Sequence, residues 1–268
     1  MTVRVVVLGC GPAGLIAAAA ARVHDRHAGL TILSNKRKST MYGAQYLHQP
    51  IPYHTPSGLD GIANIQYTLA GSTEEYRRKV YGDRFVGAVS PEELAETHLG
   101  WDIRMTYDNL WDEFEPIILQ REVGPPELDD LLNDPDIDLV ISSIPLQRLC
   151  HNGHTFQGTE IWAAGEAPEV GIKLPFNCAD DTVMCNGKEY PSWYRLARIF
   201  GRTTVEWPGR LPKPPIGSVT RVTKPTKHNC DCWTNHPKFF TVGRYGSWDK
   251  SQLSHHAFDA TTERLQKV

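Results

Sequence analysis

The chain has 268 residues, enough for one large domain or two interleaved ones, and its 40% hydrophobic and 22% charged residues are an ordinary globular balance. A net charge of −3 gives no general attraction to nucleic acid or acidic membranes, and no apolar run reaches membrane-spanning length. Six scattered cysteines and no signal-peptide pattern lead us to expect a cytoplasmic protein with reduced thiols.

Val3 to Leu8 is a short β-branched run, the composition of a buried parallel strand. It leads into Gly9-Cys10-Gly11-Pro12-Ala13-Gly14-Leu15 and then an alanine-rich helix, expected from about Ala13 to Val23 or His24. The spacing of Gly9, Gly11 and Gly14 is the dinucleotide fingerprint. Gly9 permits the tight turn, Gly11 leaves room for a pyrophosphate, and Gly14 lets the helix lie close on the strand. The second strand is expected at Leu30-Thr31-Ile32-Leu33. An acidic residue usually meets the adenosine ribose at the end of this strand; here the position falls on Ser34 or Asn35. Lys36, Arg37 and Lys38 follow, either a 2′-phosphate site, which would favour NADP, or a solvated basic turn.

The loop from Ser39 to Pro52 is too polar and aromatic for a plain linker. Gly43 and Ala44 let backbone approach a flat ligand, and Gln45, Tyr46 and His48 can direct polar groups at it. His48, with an ordinary pKa of about 6.5, suits acid–base work near neutrality. The catalytic candidates are therefore His48, Tyr46 and Gln45.

Residues 60 to 130 read as mostly helical, with a helix start at Ser90-Pro91-Glu92-Glu93 and a core stripe at Ile103, Tyr107, Leu110, Trp111 and Phe114. Asp138 to Leu146 is a buried strand ending at Pro145. Residues 155 to 235 turn to strand-and-turn character and suggest a second, antiparallel sheet. Lys238 to Val242 is a strand, Gly243 to Trp248 a glycine turn, and a helix is expected from about Lys250 to Leu265. Two segments, Cys150-His151-Asn152-Gly153-His154 and His228-Asn229-Cys230-Asp231-Cys232, could join around zinc. Their spacings fit no standard finger, so no metal is assigned.

Three segments together resemble the two-domain FAD proteins of the flavin amine oxidase and UDP-galactopyranose mutase superfamily, including compact, phage-type members. They are Val7 to Leu15, Val140 to Leu146 with its terminal Pro145, and Val242-Gly243-Arg244 with the helix after it. The resemblance implies an α/β fold: a Rossmann-like FAD-binding domain of glutathione-reductase type with an inserted α+β substrate domain. The FAD domain would comprise residues 1–60, 131–150 and 236–268. A helical insertion at 61–130 and an antiparallel-sheet substrate domain at 151–235 would complete the chain.

FAD would lie with its pyrophosphate at Gly9, Gly11, Pro12, Ala13, Gly14 and Leu15 and its ribose near Ser34, Asn35 and Lys36. Its ring would reach Gly43, Ala44, Gln45, Pro145, Gly243, Arg244 and Trp248. Amides and dipole near Lys250, Ser251, Gln252 and Leu253 would stabilise negative charge on the reduced ring. The expected activity is that of an FAD-dependent oxidoreductase acting on a small polar substrate such as an amine, an amino-acid adduct or a sugar nucleotide. Alternatives are a flavin-dependent lyase or oxidase acting on a modified DNA base, with nucleic acid entering only as substrate, an NAD(P)-dependent dehydrogenase, and a non-catalytic nucleotide-binding protein. No membrane partner is expected, and the oligomeric state stays open.

Overall fold

Strand β1 (Arg4–Leu8) and helix α1 (Pro12–His24) form where the apolar run and the glycine turn place them. The structure, a computed structural model, describes residues 3–43, 45–83, 96–151, 153–166, 174–214, 216 and 219–268. Ala17 to Ala21 are all buried. Alanine favours the helix and adds no bulk, so α3 (Ile103–Phe114) and α6 (His256–Leu265) pack directly on α1. The core stripe expected on α3 is confirmed at Ile103, Tyr107, Leu110 and Phe114, which are buried.

β1 pairs with β2 (Gly29–Ser34) on one side and β6 (Leu139–Ser142) on the other. The short β5 (Ile118–Gln120) and β12 (Phe239–Thr241) form the edges. The order is β12-β6-β1-β2-β5, and every pairing is parallel. The chain runs outward from β1 in one direction and returns to β6 in the other, so the switch point lies between β1 and β6. Ligands of open parallel sheets bind at such a point, beyond the carboxyl ends of the strands.

The second sheet has seven strands in the order β11-β7-β10-β9-β8-β3-β4. They are β3 (Ile62–Ala70), β4 (Thr97–Trp101), β7 (Phe156–Gly165), β8 (Thr182–Asn186), β9 (Arg195–Ile199), β10 (Arg202–Pro208) and β11 (Thr220–His228). Its pairings are antiparallel except β3 with β8, which is parallel. The sheet is therefore mixed.

The stretch from 60 to 130 is not the helical insertion that its charged segments suggest. β3 and β4 belong to the second sheet, while β5 extends the first. The reason is period-2 patterning: Ala63 and Ile65 are buried while Asn64 and Gln66 face out. Within this stretch α2 (Thr73–Tyr81), α3 and α4 (Pro125–Asn133) are helical, and α2 begins with a Ser72–Glu75 capping box. The helix start expected at Ser90 lies outside the described residues. The chain changes sheets after β2, β4, β6 and β11. No helix among the described residues is long and apolar enough to cross a membrane.

Candidate cofactor and active site

Gly9 adopts φ +98°, a conformation that favours glycine, and its amide donates to the Leu33 carbonyl at 2.8 Å. A Cβ on Gly14 would collide with the Gly9 carbonyl and stand 2.6 Å from Ser143 Oγ, so helix and strand are in close contact here. Gly11 is different, because a Cβ there would meet only Ser39 Oγ, at 3.5 Å. Gly11 is also the N-cap of α1, with no side-chain cap and no acidic residue in the first turn. A positive helix end with room before it suits a pyrophosphate. Cys10 and Ser39 are tied into this turn by Tyr107 of α3. Its hydroxyl donates to the Cys10 carbonyl at 2.8 Å and accepts the Ser39 amide at 3.0 Å.

At the ribose position, Ser34 is buried. Its hydroxyl donates to Cys10 Sγ at 3.0 Å and accepts the Lys36 amide at 2.8 Å, so it braces the glycine turn from behind. Asn35 is exposed and accepts the Arg37 amide at 3.2 Å. Lys36 pairs with Glu115 at 2.7 Å and Lys38 with Asp108 at 2.5 Å. Two of the three basic side chains are thus already paired, which weakens the 2′-phosphate reading. Lys36 also lines a shallow hollow of about 420 Å³ with Trp111, Asp112, Glu115 and Gln120, beside the ends of β2 and β5.

The C-terminal glycine turn closes on the same end of α1. Gly243 (φ +71°) opens the short helix α5 (Gly243–Gly246), and a Cβ on it would stand 2.5 Å from Ala13 Cβ. Gly246 passes equally close to the Ser142 carbonyl at the end of β6. Arg244 brings a guanidinium to this junction, and its buried Nε has no hydrogen-bond partner among the described residues. Buried polar groups are seldom left so, and an anionic or carbonyl ligand would complete it.

The expected helix start at Lys250 is corrected. Asp249 instead builds a turn, accepting the Ser251 amide and hydroxyl on Oδ1 at 2.8 and 2.9 Å and the Gln252 amide on its carbonyl at 3.3 Å. The helix begins at His256, after Leu253. Ser251, Gln252 and Leu253 therefore lie in a turn, and no helix dipole is aimed from their position.

The ring-facing residues expected in one place fall into two. Pro145 and Trp248 line a cleft of about 570 Å³ with Phe156, Glu160, Arg221, Thr223 and Tyr245. Gly43, Gln45, Tyr46 and His48 do not line it. Alternation along β11 separates them, with Thr223 on one face and Lys224 on the other. Trp248 is 4% exposed, and its indole N–H donates to the Gln157 carbonyl of β7 at 2.8 Å. Its packing thereby ties the C-terminal turn to the second sheet.

The loop after Ser39 crosses the opposite face. Leu47 and Trp101 exchange backbone hydrogen bonds of 2.9 and 3.0 Å, which fasten the loop to β4. Tyr46 is buried and stacks on His48 at 4.6 Å between ring centroids. Gln45 is exposed and donates to the Tyr42 carbonyl at 2.6 Å; Ala44 lies outside the described residues. His48 is exposed at its edge, with His255 at 5.3 Å and His98 at 6.2 Å between centroids. Partial burial, then His98 and His256, hold its pKa below the usual histidine value.

Gly43 (φ +84°) rests on the carboxylate of Glu206, where a Cβ would clash with Oε1. Glu206, on β10, is 2% exposed. It accepts from Arg195 at 2.5 Å, from Lys224 at 2.7 Å and from the Tyr194 hydroxyl, while Lys224 also donates to Tyr194 at 2.9 Å. Burial would raise the Glu206 pKa, but Arg195 and Lys224 hold it well below the carboxylate range. Burial and the Arg195 charge bring Lys224 down to about 7, against the pull of Glu206. The Arg244 charge contributes in the same direction. Sequence reading missed these residues. The available signal was a lone glutamate within Thr203-Thr204-Val205-Glu206-Trp207, a strand otherwise suited to full burial.

A scan against protein-family models gives no match, and a search of curated proteins gives none either. The fold is similar to that of several solved structures. One is Xcc4156, a flavin-dependent halogenase from Xanthomonas campestris, with a TM-score of 0.55, 12% identity, and coverage of 100% of this chain and 71% of the halogenase. A second is BrvH, a flavin-dependent halogenase from Brevundimonas sp. BAL3, with a TM-score of 0.54, 13% identity, and coverage of 98% and 71%. A third is 2,6-dihydroxypyridine-3-hydroxylase from Arthrobacter nicotinovorans, with a TM-score of 0.54, 14% identity, and coverage of 97% and 82%. At these identities the likeness is one of fold: a Rossmann-like α/β domain joined to a second sheet. None of the three is an amine oxidase or a mutase, so the narrower resemblance is not carried further.

Proposed function

We propose that the protein is an FAD-dependent enzyme of the oxidoreductase type, acting on a small polar substrate where the two sheets meet. One observation carries the reading. The uncapped N-terminus of α1, with room in front of Gly11, is met by a second glycine turn whose Gly243 packs on Ala13. A single fingerprint would serve NAD(P) equally well. A second strand–glycine turn delivering Arg244 to the same place suits the longer flavin dinucleotide. Two of the three similar folds are flavin-dependent by name.

Bound FAD would supply the redox chemistry. Gly11 to Leu15 would hold the pyrophosphate, Asn35 and Lys36 the adenosine end, and Gly43 and Arg244 the region of the ring. His48 is the candidate for moving a proton on the exposed side of the loop. Lys224, near neutrality in its ionisation, is a second group able to hold a proton, and Glu206 and Arg195 fix its position. Tyr46 supports His48 by stacking.

Absorbance of the purified protein, with mass spectrometry of the ligand released from it, tests the reading. Oxidised-flavin bands and a mass matching FAD are expected. Protein that stays colourless after incubation with FAD, or that releases NADP, overturns it.

A further inference from the structure

Two segments of the chain bring together three cysteines and His154, none of which lines the cleft or touches the glycine turns described above. One is the passage from β6 to β7, the other the passage from β11 to β12. Both cross between the sheets, and they are tied together by hydrogen bonds from Trp233 Nε1 to the Leu149 carbonyl (2.6 Å) and from the Thr155 amide to Asn229 Oδ1 (2.7 Å). Where they meet, ligand atoms of Cys150, His154, Cys230 and Cys232 all lie within 4.8 Å of one another. Cys150 Sγ stands 3.1 Å from His154 Nδ1 and 3.9 Å from Cys232 Sγ, and Cys232 Sγ is 3.5 Å from His154 Nδ1.

These separations fit a small tetrahedron. Four-coordinate zinc with Zn–S near 2.3 Å and Zn–N near 2.0 Å places its ligand atoms about 3.5–3.8 Å apart. The Cys150–Cys232 distance is far outside disulfide bonding, which needs about 2.05 Å between sulfurs. The histidine is oriented as a ligand. Nδ1 faces the sulfurs, while Nε2 points away from them, with the exposed Asp231 Oδ1 at 3.5 Å. Cys230 is buried and the other three ligand residues are half-buried. Four protein ligands leave no open coordination position, which marks a structural site and not a catalytic one.

We propose that Cys150, His154, Cys230 and Cys232 bind one zinc ion, and that the ion clamps two of the crossings between the parallel sheet and the mixed sheet. The spacings C-x3-H and C-x-C match no finger because the ligands come from two loops about 80 residues apart, brought together by the fold. Binding would release the thiol protons, so occupancy falls in acid.

The test uses the full-length protein, purified under reducing conditions and incubated with zinc. Elemental analysis after dialysis is expected to find about one zinc per chain. Titration with cobalt(II) alone should give the ligand-field and thiolate charge-transfer bands of a tetrahedral cysteine site. Cys232→Ser and His154→Ala should each lose most of the bound zinc, whereas Cys178→Ser, outside the cluster, should retain it. If the variants fail to fold, the cobalt spectrum of the unsubstituted chain still decides. Stoichiometry below about 0.2 per chain with no tetrahedral cobalt spectrum overturns the proposal, and so does a Cys150–Cys232 disulfide as the stable state in reductant. Flavin content, read on the same samples by absorbance, is a separate result and does not bear on the metal.

Discussion

Glu206 has almost no contact with water, yet it carries a charge held in place by Arg195, Lys224 and Tyr194. Removing one partner of such a group costs more than the pair contributes, because the charges left behind stay buried. Glu206→Gln should therefore destabilise the protein by about 3–5 kcal/mol in chemical denaturation, and it should loosen the support under Gly43. Lys224→Met takes away a buried ammonium and leaves the Arg195 pair, so it should fold. If Lys224 passes a proton, its variant loses the limb near pH 7 in the turnover profile while flavin content is unchanged. A profile identical to that of the parent protein restricts Lys224 to packing. Arg244→Ala should weaken FAD by about 1.5–3 kcal/mol in a binding titration, the scale of a hydrogen bond to a charged group. None of these charged partners except Arg244 was legible from sequence, because the pairs bring together residues 195, 206 and 224 from three strands. His48 was legible by residue type alone, and its stacking on Tyr46 and its neighbours His98 and His255 came only with the fold.

At the scale of elements, β1, α1 and β2 could be read directly, since each has a local signal: a β-branched run, a glycine turn, an alanine face. The structure sharpens the roles of the three glycines into separable predictions. Gly14→Ala puts a methyl against the Gly9 carbonyl backbone, which cannot move freely, so it should cost about 1–3 kcal/mol of stability. A Cβ on Gly11 makes only ordinary contact with Ser39 Oγ, and since Gly11 is the N-cap of α1, where valine is less favoured than glycine, Gly11→Val should cost about 1 kcal/mol or less. That variant should unfold at nearly the parent temperature and bind no flavin, as read by thermal denaturation beside absorbance. Retained flavin would contradict the pyrophosphate assignment. β3 was harder to read. Its alternation is clear in hindsight, but the neighbouring charged helix α2 and the helical stripe of α3 dominate the same window. β5 has three residues, too few for any periodicity. The late start of α6 follows from Asp249, whose side chain satisfies the Ser251 amide in a turn and takes the place of a helical first turn.

At the scale of the whole molecule, the two sheets are held together by contacts that no local pattern reveals, and one of them sets a limit on acid stability. His255 sits at the start of α6, 4% exposed, against His48 of the loop and His256 beside it. Burial, then the nearby His256 and His48, depress its pKa to about 4. In the unfolded chain the same imidazole titrates near 6.5. Above that value it is neutral in both states and pH has no effect through this group. Between about 6.5 and 4 the unfolded chain binds a proton that the folded chain excludes, so folded stability falls as pH drops through this window. The full loss is on the order of 3 kcal/mol once pH is below the folded value. His255→Gln removes the titration and keeps a polar side chain of similar length. Its unfolding free energy, measured from pH 7 to pH 4, should decline less steeply than that of the parent by about that amount. Since α6 packs on α1, acid should also release flavin from the parent protein earlier than from the variant. Parallel stability curves for the two proteins would show that His255 is solvated at this junction and that acid acts elsewhere.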